Sequence, residues 1–177
     1  MRLLGVDPGS IACGWGVIDA SSGSLEFIAA ATIRAPQIEP APARLLRIYR
    51  GLSSVIREYC PAVLSLERHF VARNIQSAFR IGEARAMAML AAQENSIPIV
   101  EYPPNQVKLA VAGHGHAGKD AVMAMVRRTL NIGSDVALAA DASDALALAI
   151  CHAMRGRGAR LTSGIERNRP PATRSRL

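Results

Sequence analysis

The sequence predicts an α/β fold in which helices flank a mixed five-stranded sheet, with three antiparallel strands followed by parallel ones. Two observations lead to this prediction. The first 34 residues alternate short apolar runs with turn residues, as consecutive antiparallel strands do. From residue 43 onward, stretches with helical periodicity alternate with short apolar runs, which is typical of strands joined by helices. A length of 177 residues suits one domain with a sizeable core.

The first three strands are predicted at the N-terminus. Residues 2–7 are a buried apolar run that ends at a Pro-Gly-Ser turn. Residues 14–20 and about 25–34 have the composition of two further strands. The Ser-Ser-Gly-Ser sequence at 21–24 separates them, so an antiparallel hairpin is expected. A connector with three prolines follows over 35–42.

Helices and strands alternate over the rest of the chain. Apolar residues at i, i+3, i+4 and i+7 predict a helix over 43–59 with one buried face. The same patterns predict a strand at 62–67, a polar loop at 69–74, a helix at about 75–94, a strand at 98–102, a glycine-rich loop at 113–118, and helices at 119–131 and about 136–154.

The resulting order, βββ-α-β-α-β-α-α, matches the ribonuclease H-like architecture. We expect this domain to span residues 1–155. A basic and disordered C-terminal tail is expected over residues 156–177.

Charge and cysteine content restrict the class of protein. Residues 155–177 carry a net charge of +6, whereas residues 1–154 carry only +1. Such a balance favours a polyanionic partner such as nucleic acid, although basic tails also serve solubility alone. The three cysteines lack metal-ligand spacing, as reduced thiols do. No signal peptide or apolar run of membrane-spanning length is apparent, so a cytoplasmic protein is expected.

Four acids stand at the edges of apolar segments. Asp7 and Glu67 each end a predicted strand, and Asp141 and Asp144 interrupt the otherwise apolar stretch 139–146. A carboxylate at the edge of a core is costly unless it is paired or holds a metal ion. Four such acids, drawn from the start, middle and end of one domain, therefore predict a divalent-cation site.

Magnesium prefers such hard oxygen ligands, and two ions about 3.5–4 Å apart can clamp a scissile phosphate. Asp141 and Asp144 are three residues apart and share one helix face. Each acid also has an ordinary explanation. Asp7 could belong to an ordinary turn, and Glu67 could form a surface ion pair with Arg68. Asp141 could cap a helix, and Asp144 could be a solvated acid in its first turn. Their joint placement favours the metal site.

Several motifs then identify a resemblance. They are LGVDPGS at 4–10, Glu67 with FVARN at 70–74, QVK at 106–108, GHGHAGK at 113–119 and ADASDALA at 140–147. With these motifs in this order, the chain resembles the bacterial crossover junction endodeoxyribonucleases, the RuvC-type Holliday junction resolvases. The resemblance covers about residues 2–154.

The resemblance implies a magnesium-dependent endonuclease that resolves four-way DNA junctions by paired symmetric nicks in recombination and repair. It implies a homodimer, two Mg²⁺ ions per subunit for which Mn²⁺ substitutes, and cooperation with the RuvA and RuvB branch-migration proteins. The catalytic and metal-binding acids of the family map onto Asp7, Glu67, Asp141 and Asp144.

Five further residues are candidate DNA contacts. Phe70 is expected to stack on an unpaired base, with Arg73 and Asn74 beside it in the same loop. Lys108 and Lys119 are the only lysines of the chain, and Lys119 opens a helix after a glycine-rich loop, where anions bind readily. Each also has a structural alternative. Phe70 could be a core aromatic, Asn74 could cap the next helix, and the two lysines could be solvated surface residues.

Other functions are also compatible with this sequence. One is a catalytically inactive module that binds branched DNA, and another is a nuclease of the same fold acting on RNA or flap substrates. A sugar-kinase or actin-like ATPase shares the fold, but it usually needs a second domain. The apolar residues of helix 75–94 lie on more than one side, which suits burial against the core and against a second subunit.

Overall fold

The computed structural model describes residues 1–21, 23–68 and 75–167, with residues 157–167 described only as backbone. Five strands are present in chain order: β1 (Arg2–Asp7), β2 (Ala12–Ala20), β3 (Leu25–Arg34), β4 (Val63–Glu67) and β5 (Ile99–Tyr102). The helices of this part are α1 (Ala41–Tyr59), α2 (Ile75–Glu94), α3 (Pro104–Ala112), α4 (Lys119–Thr129) and α5 (Ala140–Arg167).

The strands form one mixed sheet in the order β3-β2-β1-β4-β5. β1 pairs antiparallel with β2, and β2 with β3, whereas β1 pairs parallel with β4, and β4 with β5. The prediction of three antiparallel strands followed by parallel ones is confirmed. β1 is central, so its end is the place where side chains from several elements converge.

Both faces of the sheet are covered, and β1 alternates between them. Leu3 belongs to the core cluster that also contains Leu146 of α5 and residues of α3 and α4. Leu4 and Val6 belong to the opposite cluster, which contains Ile48 and Leu52 of α1 and four alanines of α2. Leu3, Gly5 and Asp7 therefore share the face that α5 covers.

Helix α3 was absent from the sequence prediction. It spans nine residues and buries only Val107 and Val111, so its apolar periodicity is short. Pro103 precedes it as the N-cap, and Pro104 stands at the first helical position, where proline is favoured. The helix ends at Gly113, whose φ of 81° is the left-handed conformation that favours glycine. The chain thus has five helices in its described part rather than the predicted four.

Helix α5 also differs from the prediction of about 136–154. It begins at Ala140 and its backbone stays helical to Arg167. Gly156 and Gly158 each cost a helix about 1 kcal/mol relative to alanine, which is too little to end it among arginine, alanine and leucine residues. The predicted end at 154 is too early, and the start of the expected disordered tail (156–167) is helical. Residues 168–177 lie outside the described residues.

No helix in the described parts of the chain combines the length and apolar character needed to cross a bilayer.

Candidate active site

The first two acids lie side by side at one edge of the sheet. β1 and β4 are parallel neighbours, and Val6 faces Leu66 in their register. Asp7 and Glu67 each follow by one residue, at the carboxyl ends of their strands. The prediction that these two acids meet if their strands are adjacent is confirmed in its geometry.

The other two acids are carried by α5. Asp141 is the second residue of this helix, and Asp144 follows three residues later, both in its N-terminal turns. The helix crosses the sheet face over β1 and β2, close to the end of β1. Its positive N-terminal dipole favours acids at these positions.

Glycines allow α5 to approach the sheet closely. A Cβ atom on Gly14 would lie 2.0 Å from the carbonyl oxygen of Asp141, and one on Gly5 would lie 1.8 Å from that of Ala145. In the register of β1 and β2, Gly14 faces Asp7 and Gly5 faces Gly16. The role of these glycines was not predicted from the sequence. The signal that could have indicated it is the Gly-x-Gly spacing in β2, which places Gly14 and Gly16 on one face.

The acids act on one another electrostatically. The pKa of Asp7 is raised from its ordinary value of 3.8 to about 7, mainly by burial and then by the charges of Asp144, Glu67 and Asp141 in that order, whereas the charge of Lys119 lowers it. Burial also raises the pKa of Asp144, while the charge of Lys119 lowers it. The four side chains therefore share one local field, in which adding a positive charge favours ionisation.

A cleft of about 300 Å³ opens between the sheet edge and helices α3, α4 and α5. Its polar lining comprises Asp7, Glu67, Lys108, Lys119 and Asp144. Its apolar lining consists of Pro104, Val107, Val122, Ala147 and Leu148. Asp141 does not line this cleft, and it acts on Asp7 through its charge.

The two lysines of the chain meet the acids in this cleft. Lys108 extends from α3, and Lys119 is the first residue of α4. The Nζ atom of Lys119 lies 3.8 Å from Oδ2 of Asp144. Free amide groups at the α4 N-terminus add to the attraction for an anion. The cleft thus combines carboxylates suited to a cation with lysines suited to a phosphate.

The donor set fits magnesium in its chemistry, because it consists of carboxylate oxygens without cysteine or histidine. In the described side chains, however, no group of three or more Asp, Glu, His or Cys residues is arranged tightly enough to hold an ion. Because burial and neighbouring carboxylates raise the pKa of Asp7, a cation held in this cleft would favour its ionised form.

Three predicted DNA contacts, Phe70, Arg73 and Asn74, lie outside the described residues. The chain enters that segment at Arg68, whose Nε lies 3.7 Å from a carboxylate oxygen of Glu101. Arg85 of α2 donates from Nη1 to the carbonyl oxygen of Glu67, at 2.6 Å. Sequence analysis missed this contact, since Arg85 is 18 residues from Glu67 and bonds to its backbone.

Two acids end neighbouring parallel strands of the sheet, and a helix that carries two further acids covers them. On a sheet of this strand order, this arrangement defines a ribonuclease H-like nuclease. Comparison with known proteins narrows this class. The family model described as crossover junction endodeoxyribonuclease RuvC matches residues 3–152. The chain belongs to this family.

Curated relatives agree over most of their length. The chain is 43% identical over 152 residues to the crossover junction endodeoxyribonuclease RuvC of Dehalococcoides mccartyi, covering 86% of this chain and 90% of the relative. It is 40% identical over 164 residues to that of Thermotoga petrophila, covering 93% and 99%.

Solved structures give the same fold. Thermus thermophilus RuvC in complex with a Holliday junction substrate matches with a TM-score of 0.84 at 32% identity, over 90% of this chain and 96% of that one. The yeast mitochondrial Holliday junction resolvase Ydc2 matches with a TM-score of 0.66 at 15% identity, over 92% of this chain and 82% of that one. The second likeness concerns the fold alone.

Proposed function

We propose that this chain resolves four-way DNA junctions by hydrolysing one phosphodiester bond in each of two symmetric strands. The observation that carries the proposal is the cleft in which Asp7, Glu67 and Asp144 meet Lys108 and Lys119. Similarity to a RuvC solved with a Holliday junction substrate supports the choice of substrate. Recombination and DNA repair in the cytoplasm are the processes that such an activity serves.

Asp7, Glu67, Asp141 and Asp144 would hold the metal, for which we propose two Mg²⁺ ions, with Mn²⁺ as a substitute. When bound, these ions supply charge neutralisation at the scissile phosphate and activation of the attacking water. The protein itself supplies ionised carboxylates in a partly dry site, where electrostatic interactions are strong. Asp7 enters this state only when its proton is lost, which a nearby positive charge favours.

Lys108 and Lys119 are proposed to contact the phosphates that flank the cut. A lysine is a compact point charge, and both side chains line the same cleft as the acids. Water's oxygen bonds to phosphorus and the bond from phosphorus to the 3′ oxygen breaks, which leaves 5′-phosphate and 3′-hydroxyl ends. Phe70, Arg73 and Asn74 are proposed to contact bases and phosphates beside this bond.

Two symmetric nicks need two active sites, so we propose a homodimer. α2 buries its small residues against α1, namely Ala84, Ala88, Ala91 and Ala92. Its large apolar residues Ile75, Phe79, Met89 and Leu90 are exposed, and we call these four residues the α2 apolar face. An exposed apolar face on an otherwise packed helix is typical of a protein contact. Association with RuvA and RuvB is a further proposal that rests on family membership.

The test is the cleavage of a labelled four-way junction in Mg²⁺ by the wild type and by Asp141→Asn, with junction affinity measured in parallel. We expect the variant to bind the junction and to leave it uncut. Efficient cutting by Asp141→Asn would contradict the assigned role. Binding without cutting by the wild type would favour an inactive branched-DNA module, and preference for RNA or flaps over junctions would favour the other alternative.

A further inference from the structure

Arg85 connects α2 to the end of β4. Its Nη1 donates a hydrogen bond of 2.6 Å to the carbonyl oxygen of Glu67. Its Nη2 donates to Oε1 of Glu101 on β5. The side chain is only 17% exposed, so both contacts are made in a largely protected position. One planar guanidinium thus joins three elements of the fold.

Glu101 completes the connection from the other side. It faces Leu66 in the register of β4 and β5, one residue before Glu67. Its carboxylate forms an ion pair with Arg85, and its second oxygen lies 3.7 Å from Nε of Arg68. The amide of Arg68 also donates to the carbonyl oxygen of Tyr102, at 2.8 Å. Backbone pairing with β5 therefore holds Leu66 and Arg68 on either side of Glu67, and an ion pair with Glu101 adds to the hold on Arg68.

This arrangement matters because β4 ends at Glu67. Glu67 pairs with Tyr102 of β5, whereas the pairing of β4 with β1 ends at Leu66, so this strand end is held in the sheet on one side only and frays more easily than the strand interior. Arg85 supplies that hold from a helix 18 residues away in sequence. Removal of the guanidinium would leave the Glu67 carbonyl without this donor and Glu101 with one fewer cationic partner.

We propose that Arg85 is a positioning residue that fixes Glu67 through its backbone and thereby sets the metal affinity of the acidic cleft. The inference rests on the proposed function, in which Glu67 is a metal ligand. Arg85 does not line the cleft, so its effect passes through Glu67 rather than through contact with the metal or the scissile phosphate. Groups that orient metal ligands typically affect metal affinity or activity about 10- to 100-fold.

The test measures Mn²⁺ binding to the full-length protein without DNA by calorimetry, together with the Mg²⁺ dependence of junction cleavage. For Arg85→Ala we expect Mn²⁺ affinity and cleavage rate at limiting Mg²⁺ to fall about 10- to 100-fold. Junction affinity without metal should stay within about threefold, since phosphate contacts dominate it. Arg85→Lys keeps the charge but not the double contact, so partial recovery is expected.

Arg47→Ala is the matched control. Arg47 also makes a two-point contact with a glutamate, Glu39, but it lies on α1 outside the acidic cleft. Its removal should leave Mn²⁺ affinity unchanged. Should Arg85→Ala fail to fold, Glu101→Gln and Arg85→Lys carry the same test, with weaker Mn²⁺ binding expected in both and melting temperatures compared with that of the wild type.

The results separate this inference from the proposed function. If Glu67→Gln cleaves junctions like the wild type, the proposed role of Glu67 fails. If Glu67→Gln is inactive but Arg85→Ala binds Mn²⁺ with wild-type affinity, only the positioning role is overturned. A loss of junction binding in Arg85→Ala at unchanged Mn²⁺ affinity also overturns it and makes Arg85 a DNA contact.

Discussion

Asp7 is largely buried beside three other carboxyl groups. Burial and these neighbouring charges all raise its pKa, which reaches about 7. An acid in this state is half protonated near neutral pH in the metal-free protein. A cation reverses the balance by favouring the ionised form. A cation bound among these acids would therefore offset the cost of gathering them to a greater extent than Lys119 does.

This environment predicts a specific pH dependence of stability. A carboxyl group with a higher pKa in the folded chain binds more protons when folded, so its contribution to stability falls as pH rises. For Asp7 the interval runs from its ordinary value of 3.8 to about 7. Without divalent metal, the free energy of unfolding of the wild type should fall relative to that of Asp7→Asn across this interval.

Chemical denaturation of both proteins at several pH values, with a chelator present, measures this difference. Excess Mg²⁺ should restore the stability of the wild type at neutral pH and leave Asp7→Asn less affected. Parallel pH profiles for the two proteins would show that Asp7 does not titrate in the predicted interval.

The acids were predictable from the sequence because each ends or interrupts an apolar run, where a carboxylate is energetically costly unless it is paired or binds a metal ion. The contact of Arg85 with Glu67 was not predictable, because it is made to a backbone carbonyl, and the side-chain partner Glu101 lies 16 residues away in sequence. The roles of Phe70, Arg73 and Asn74 stay predictions, since these residues lie outside the described part of the chain.

At the scale of elements, the close approach of α5 to β1 and β2 brings Asp141 and Asp144 to the sheet edge. The helix and the strands were predicted from the sequence, but the short distance between α5 and the sheet was not. The reason for this short distance is the absence of side chains at Gly5 and Gly14 on the covered face. Helix α3, which carries Lys108, was missed since its two buried residues make too short a pattern.

Gly14→Ala tests this close packing. The added methyl group would lie 2.0 Å from the Asp141 carbonyl oxygen, so α5 must shift. We expect a loss of about 1–3 kcal/mol of stability, as overpacking typically causes. Junction cleavage should fall more than junction binding, because Asp141 and Asp144 move with the helix.

Gly156→Ala is the control on the same helix. A Cβ there meets nothing within 4 Å, so this substitution should raise helix stability by about 0.5–1 kcal/mol. Thermal unfolding and cleavage assays on both variants make the comparison. Wild-type stability and activity in Gly14→Ala would show that the helix does not need the space.

At the scale of the whole molecule, the proposed dimer depends on the α2 apolar face. Phe79 is 70% exposed and Ile75 is 69% exposed, although both are large apolar residues on a helix. The sequence indicated that this helix is apolar on more than one side. It could not indicate which side meets the core, because alanines rather than large residues do so.

Phe79→Glu should therefore weaken the dimer by placing a charge in its contact. Light scattering is expected to show a shift of the mass toward that of one chain, 18.8 kDa. Junctions nicked in one strand should accumulate, since the two cuts are no longer made by one particle. Ile38→Glu is the control, because Ile38 is 95% exposed and lies outside α2. Equal dimer content in both variants would place the subunit contact elsewhere.

The central claim is that the acidic cleft cuts four-way junctions in a metal-dependent reaction. Its most direct test is single-turnover cleavage of an end-labelled four-way junction by the wild type and by Asp7→Asn, with and without Mg²⁺. We predict two symmetric nicks by the wild type only when Mg²⁺ is present. Asp7→Asn should cut at least ~10³-fold more slowly, since it loses several kcal/mol of metal-derived stabilisation, while it still binds the junction. Comparable nicking by Asp7→Asn, or by the wild type in a chelator, would contradict the account.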